Sequence, residues 1–263
     1  MTDPMRTGTI LDQIVADKQI EVASRKAARR GRNRTPSART SVGRFRRALS
    51  GTGVAMIAEI KGASPAAGTI RTGFDPVSVA RAYEAGGAAA LSVLTDAKYF
   101  GGSWEALASV CRVSPLPVLC KEFIIDPDQI DDAAEAGAAA VLLITAILDR
   151  GRLEALRGHA RQCGLDALVE VHTPEEVATA VAAGADIIGI NNRDLATLRV
   201  DLQTTARVRP LIPPGVVVVA ESGYETRDQV VAVERLGVHA VLIGRSLMAS
   251  ADPTAKLREL RGA

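Results

Sequence analysis

Eight short aliphatic runs recur along the chain, each followed by polar turn residues and then an amphipathic, alanine-rich stretch. They are MIAEI (56–60), ALSVL (90–94), PVLCK (117–121), AVLLI (140–144), LVEV (168–171), DIIGIN (186–191), VVVVAE (216–221) and AVLIG (240–244). Near-continuous apolar runs of strand length, separated by helical segments, are the pattern of parallel strands covered by crossover helices. The fold class is therefore α/β. Eight regular units favour a closed (β/α)₈ TIM barrel over an open doubly wound sheet, and 263 residues match the roughly 250 of one barrel. The barrel is expected over residues 51–263, preceded by an N-terminal extension over 1–50.

Turn chemistry agrees with the repeat. Asp75-Pro76, Asp126-Pro127 and Thr173-Pro174 each offer an N-cap followed by proline at the first helical position. Gly86, Gly137, Gly184 and Gly237 stand where helices return to strands and are expected in the left-handed conformation that ends a helix. Residues 8–29 read as an extra amphipathic helix, with Ile10, Leu11, Ile14, Ile20 and Val22 broadly at helical spacing, packing over one barrel end.

Composition removes other classes. With 47% hydrophobic and 24% charged residues the chain can bury a large aliphatic core and is not a disordered protein. No apolar run approaches the roughly 20 residues needed to span a bilayer, so no membrane partner is expected. Cys111, Cys120 and Cys163 are odd in number and lack CxxC spacing, which argues against a disulfide framework and a cysteine zinc site and points to a reducing cytoplasm. Residues 25–47 hold nine Arg, one Lys and no acid, leaving the remainder at −8 of a net +2. With one aromatic, Phe45, and no recognition motif, this run reads as a solvated segment or a steering patch for an anionic substrate rather than a nucleic-acid site.

The chemistry-bearing residues stand at the strand ends, where barrel enzymes place catalytic groups. Glu59 and Lys61 share a face of the first strand, Lys121 ends the third, Glu170 lies between Val169 and Val171 in the fifth, and Glu221 ends the seventh. Charges turned toward the helix layer would be buried unpaired at severe cost, so all five are expected in the barrel mouth. Such a ring could be structural ion pairing, but three acids and two lysines in one mouth favour catalysis. A second layer suggests an anionic ligand. Gly62 to Gly68 follow the first strand, Ser222-Gly223-Tyr224 the seventh and Gly244-Arg245-Ser246 the eighth, and barrel phosphate sites commonly use the last two loops.

The motifs ILDQIVADKQIEV, AEIKGASP, LTDAKYFGGS, PVLCKEFIIDPDQI, ALVEVHT, IIGINNRDL, VAESG and VLIGRSLM occur in an order that resembles the indole-3-glycerol phosphate synthase family nearly end to end. The resemblance implies ring closure of 1-(2-carboxyphenylamino)-1-deoxyribulose 5-phosphate in tryptophan biosynthesis, with loss of carbon dioxide and water and without metal or organic cofactor. It implies Lys121 as general acid, Lys61 as binder of the anthranilate carboxylate and Glu170 as base. Glu59 and Glu221 would orient lysines and substrate, with Asn191 hydrogen-bonding near the reacting centre. Ser222 would contact substrate and Arg193 organise its loop, while Ser64, Gly223, Gly244 and Arg245 would hold the phosphate. The expected partner is thus a small phosphorylated molecule, and a monomer is the favoured state. Another phosphosugar isomerase or lyase on the same barrel, or a non-catalytic ligand-binding barrel, are the alternatives.

The loop EIKGASPAAG departs from the family at Gly62, Ala66 and Ala67, where basic or serine residues are usual. CKEF replaces CKDF, placing Glu122 at a position expected to face away from the mouth. His172 is expected in a structural or supporting role, His159 and His239 in packing or at the surface, Cys120 against the helices, and Trp104 at the start of a helix.

Overall fold

The apolar runs form eight strands because each is short, rich in β-branched residues and bounded by turn residues. In chain order they are β1 (Ala55–Ile60), β2 (Ala90–Leu94), β3 (Val118–Lys121), β4 (Ala140–Ile144), β5 (Asp166–Val171), β6 (Ile187–Asn191), β7 (Val217–Glu221) and β8 (Ala240–Ile243). The computed structural model describes residues 8–29 and 42–263. Each strand pairs in parallel with its sequence neighbours, and β1 pairs with both β2 and β8, which closes the barrel. Closure leaves the barrel sheet without a free edge.

The helices around the barrel are α3 (Pro76–Ala85), α4 (Ala97–Phe100), α5 (Trp104–Val113), α6 (Pro127–Glu135), α7 (Arg150–Gln162), α8 (Pro174–Ala182), α9 (Gln203–Val208), α10 (Arg227–Arg235), α11 (Arg245–Met248) and α12 (Pro253–Arg261). The expected N-caps are formed: Asp75 accepts from the amides of Val77 and Ser78, Asp126 builds a capping box with Gln129, and Thr173 accepts from Glu176. Gly137, Gly184 and Gly237 are left-handed at φ 90°, 76° and 75°. Gly86 is a correction. It keeps helical φ of −77°, and the left-handed residue is Gly87 at φ 86°. The helix continues one residue further because Gly86 N–H still donates to Ala82 C=O at 2.9 Å.

Among the described residues two helices precede the barrel, α1 (Ile10–Arg29) and α2 (Arg44–Ala48). Leu11 and Ile14 of α1 face the cavity at the C-terminal ends of the strands, so α1 lies across the mouth. Its buried face is Leu11, Ile14, Val15, Lys18 and Val22, whereas Ile20 is 71% exposed. The expectation for Ile20 therefore fails, because at 100° per residue it stands about 200° from Lys18. Lys18 takes the buried place through ion pairs with Glu122 at 3.0 Å and Asp96 at 3.1 Å. Glu122 also accepts from Thr95 Oγ1 at 2.6 Å and from the Phe123 amide at 2.7 Å.

At the opposite end α2 plugs the barrel with fully buried Phe45, while Asp166 at the start of β5 accepts from Gly43 N–H at 2.7 Å and Arg46 N–H at 3.0 Å. Of the arginine-rich run, residues 30–41 lie outside the described residues. Two of its described members engage the barrel's outer layer: Arg25 lies 4.4 Å over the Trp104 ring, and Lys26 pairs with Asp126 at 2.8 Å. Among the described residues no helix is long and apolar enough to cross a membrane.

Candidate active site

Inward-facing positions of alternate barrel strands lie in common layers. Glu59, Lys121, Glu170 and Glu221 come from the odd strands β1, β3, β5 and β7, and the three carboxylates are 4%, 3% and 1% exposed. Lys121 Nζ stands 3.2 Å from Glu221 Oε2 and 3.3 Å from Glu170 Oε2. Lys61, two residues beyond Glu59, donates to the Glu59 carboxylate. The ring is thus a pair beside a triad.

Two glycines make space for it. A Cβ on Gly189 of β6 would lie 2.1 Å from Glu221 Oε1, and one on Gly244 would lie 2.3 Å from Glu59 Oε1. Gly244 was expected only in phosphate binding, and Gly189 was not singled out. Its signal in the sequence is a glycine inside a buried strand, which marks close approach of another group.

Burial opposes every charge in the ring, and the neighbours decide which survive. For Lys121 the surrounding Glu221, Glu170 and Glu59 outweigh burial and hold the ammonium far above its ordinary range. Glu170 is pushed up by burial but held below its ordinary value by Lys121, by His172 and by a hydrogen bond from Asn191. Glu221 goes the other way. Burial, with Glu170 and Glu59 adding repulsion, outweighs the Lys121 attraction and pushes it up to about 7. Its Oε1 is buried without a hydrogen-bond partner. The two carboxylates that share Lys121 are thus driven apart in proton affinity.

His172 supports Glu170 from outside the ring. Its Nε2 lies 3.5 Å from Glu170 Oε1 and its Nδ1 3.0 Å from Glu176 Oε2. Burial lowers the imidazole's affinity for a proton, but Glu176 and Glu170 together raise it above the ordinary value.

Above the ring opens a cavity of about 390 Å³, and Glu59, Lys61, Ser64, Lys121, Glu170, Asn191, Arg193, Glu221, Ser222, Gly223, Gly244 and Arg245 all line it. Asn191 Oδ1 accepts from Arg193 N–H at 3.0 Å, and the Arg193 guanidinium donates to Leu198 C=O at 2.7 Å, fixing the loop after β6. Ser222 and Gly223 are successive left-handed residues at φ 67° and 94°. Asn192, absent from the sequence reading, secures that bend: its Nδ2 donates to Ser222 C=O and Tyr224 Oη, both at 3.0 Å. Ser246 Oγ donates to Tyr224 C=O at 3.2 Å and ties the loops after β7 and β8 together. Arg245 pairs with Glu225 at the rim. Leu11, Ile14, Phe100, Leu142 and Ile144 give the cavity an apolar wall beside its charges, suited to a planar ring carrying anionic groups.

The sequence model of the family described as Indole-3-glycerol phosphate synthase matches residues 11–260. Curated relatives of that name include one from Dehalococcoides mccartyi strain CBDB1, 48% identical over 81% of this chain and 83% of that protein. Another, from Koribacter versatilis strain Ellin345, is 44% identical over 96% of this chain and 98% of its own length. A solved 3-hexulose-6-phosphate synthase superposes with a TM-score of 0.65 at 18% identity, covering 80% of this chain and 99% of that one. KGPDC from Streptococcus mutans superposes at 0.63 with 14% identity, covering 80% and 97%. These two likenesses show the barrel alone.

Proposed function

The chain belongs to the indole-3-glycerol phosphate synthase family, carboxy-lyases of tryptophan biosynthesis, and we propose how the residues of its barrel mouth divide that reaction. The substrate, 1-(2-carboxyphenylamino)-1-deoxyribulose 5-phosphate, carries an aromatic carboxylate, a ketone and a phosphate. The cavity offers a group for each. Lys61 binds the carboxylate and holds the aromatic ring against the ketone carbon, a positioning role. As the ring carbon bearing the carboxylate attacks, the carbonyl electron pair takes a proton from Lys121 Nζ. The bond to the carboxylate then breaks, carbon dioxide leaves, and its electron pair restores aromaticity. Glu170 then takes a proton from the neighbouring carbon and returns it to the departing hydroxyl, which leaves as water while the C–H electron pair forms the double bond that completes the indole.

Glu59 and Glu221 orient the two lysines and the substrate hydroxyls, and Asn191 hydrogen-bonds beside Glu170. Ser222 contacts substrate, while Arg193 holds its loop in place. Ser64, Gly223, Gly244 and Arg245 take the phosphate in the loops after β1, β7 and β8. On this reading the protein works in the cytoplasm, as a monomer, on a small phosphorylated molecule and on neither membrane nor nucleic acid.

The observation that carries the assignment is the Lys121 ammonium held between Glu170 and Glu221 at 3.3 and 3.2 Å, an acid beside its own base in one cavity. The test is the purified protein with the carboxyphenylamino substrate, followed by indole fluorescence. Fluorescence that grows with the wild type and is absent with Lys121→Ala supports these roles; equal rates for the two refute them.

A further inference from the structure

Outside the barrel mouth, Asp131 of α6 and His159 and Cys163 at the end of α7 bring three different donor atoms together. His159 Nε2 lies 2.7 Å from Asp131 Oδ1, Cys163 Sγ lies 3.3 Å from the same oxygen, and Sγ and Nε2 are 3.7 Å apart. His159 and Cys163 are four residues apart, which puts both on one helix face. Asp131 completes the triangle from the neighbouring helix, and all three side chains are only partly buried, so an ion can reach them from solvent.

A charge-relay triad would need the carboxylate and the thiol on opposite ring nitrogens of the histidine. Here both approach Nε2, so the three atoms converge on one point. We propose that Asp131, His159 and Cys163 form a three-ligand site for a borderline-soft divalent cation of the Zn²⁺ type. With Zn–S near 2.3 Å and Zn–N and Zn–O near 2.0–2.1 Å, tetrahedral coordination sets ligand atoms roughly 3.3–3.6 Å apart. The two sulfur distances, 3.3 and 3.7 Å, fall in this range or within about 0.1 Å of it. The nitrogen–oxygen distance has to open by about half an ångström, the change expected when a proton shared by the two is replaced by a metal ion.

The donor set selects the ion. Thiolate and imidazole favour Zn²⁺, Co²⁺ or Cd²⁺ over Mg²⁺ or Ca²⁺, which want oxygen ligands. Three protein ligands leave a fourth position to water. The ion would link α6 to α7 on the outside of the barrel, and none of the three residues lines the mouth cavity. The other two thiols are poor competitors: burial pushes Cys111 up to about 12 and Cys120 well above its ordinary value.

The test is titration of the tag-free, metal-free full chain with Co²⁺ and then Zn²⁺. The expected result is one Co²⁺ per chain, a near-ultraviolet thiolate-to-cobalt band that Zn²⁺ abolishes, and a higher melting temperature with Zn²⁺. Cys163→Ser removes the band. His159→Ala weakens Zn²⁺ binding by more than the roughly 10–100-fold that loss of a mere outer partner costs. Cys111→Ser leaves the band in place, and all three variants keep wild-type turnover, which shows that they fold. A band that survives Cys163→Ser, or no thiolate band at saturating Co²⁺, overturns the proposal.

Discussion

Lys121 and Glu221 meet at 3.2 Å inside the barrel mouth, yet the carboxylate is pushed up to about 7. The lysine is shared. Glu170 holds it from the other side at 3.3 Å and keeps the lower proton affinity of the two acids. One ammonium thus serves two carboxylates, and the second changes its charge near neutral pH.

Replacing Lys121 by Ala removes the proton donor and is expected to lower kcat by roughly 10²–10⁴-fold, the range of general acid catalysis. Glu170→Gln, which keeps size but cannot accept the final proton, is expected to fall in the same range. Stopped-flow or steady-state fluorescence measures both, with circular dichroism to confirm the fold. Turnover within a factor of a few of wild type in either variant would remove that residue from the mechanism.

The two assigned groups predict a broad pH profile. Glu170 is ionised above a value below its ordinary 4.5, and Lys121 stays protonated to well above 10.5. Neither inflects kcat near neutrality. Near pH 7 two groups beside the reacting centre titrate, Glu221, pushed up to about 7, and His172, held above its ordinary 6.5. Glu221→Gln is expected to remove the first inflection, and His172→Asn to abolish any that remains; an inflection that survives both changes would contradict the assignment.

Stability has its own sign. The folded-state affinity of Glu221 for its proton is raised from 4.5 to about 7, so its contribution is present below pH 4.5 and lost as pH rises through about 7. Glutamine imitates the protonated form at every pH. Glu221→Gln is therefore expected to melt several degrees higher than wild type at pH 8, a gain of roughly 2–3 kcal/mol at most, and about equally at pH 4.5. Calorimetry at the two pH values checks this. A variant that is less stable than wild type at pH 8 would show that the Lys121 pairing outweighs burial.

Lys18 is expected to couple stability to substrate binding. It is 2% exposed and stands within 3.1 Å of Asp96 and 3.0 Å of Glu122. Lys18→Met leaves two buried carboxylates without their cation, a loss of about 3–5 kcal/mol. Because the same helix presents Leu11 and Ile14 to the cavity, KM is expected to rise several-fold while kcat changes little. Denaturant melts and steady-state kinetics separate the two effects; an unchanged KM would mean that α1 does not shape the mouth.

The barrel and its charged ring were legible because both follow from local rules. Strand runs have period two, so Glu59, Lys121, Glu170 and Glu221 could be assigned inward by parity, and the N-caps at Asp75, Asp126 and Thr173 are short-range chemistry. What escaped depends on distant chain segments. Nothing local in the sequence marks Lys18 until Glu122, more than 100 residues away, meets it, and that contact also moves the buried face of α1 off Ile20. Asn192 belongs to the β7 loop by hydrogen bonds across 30 residues. His159 reads as a packing or exposed residue, and Cys163 as one of three unpaired cysteines, until Asp131 arrives from another helix.

Gly189 tests whether the ring's geometry, rather than its composition, sustains turnover. It faces the interior from β6, opposite Glu170 in the strand register, and a methyl group there would sit 2.1 Å from Glu221 Oε1 and 3.2 Å from Leu168 Cδ1. Of these the carboxylate is the one that must move, since at 2.1 Å no contact survives. Gly189→Ala leaves every ring residue in place but turns Glu221 away from Lys121, so the lysine keeps only Glu170 as close partner. The expected outcome is a fall in kcat of about a hundredfold, the cost of a misplacement near 1 Å, with overpacking of roughly 1–3 kcal/mol in stability. If Glu221 acts only through Lys121, then Glu221→Gln and Gly189→Ala combined should cost little more in kcat than either alone. Multiplicative losses in the double variant would mean that Glu221 touches the substrate independently.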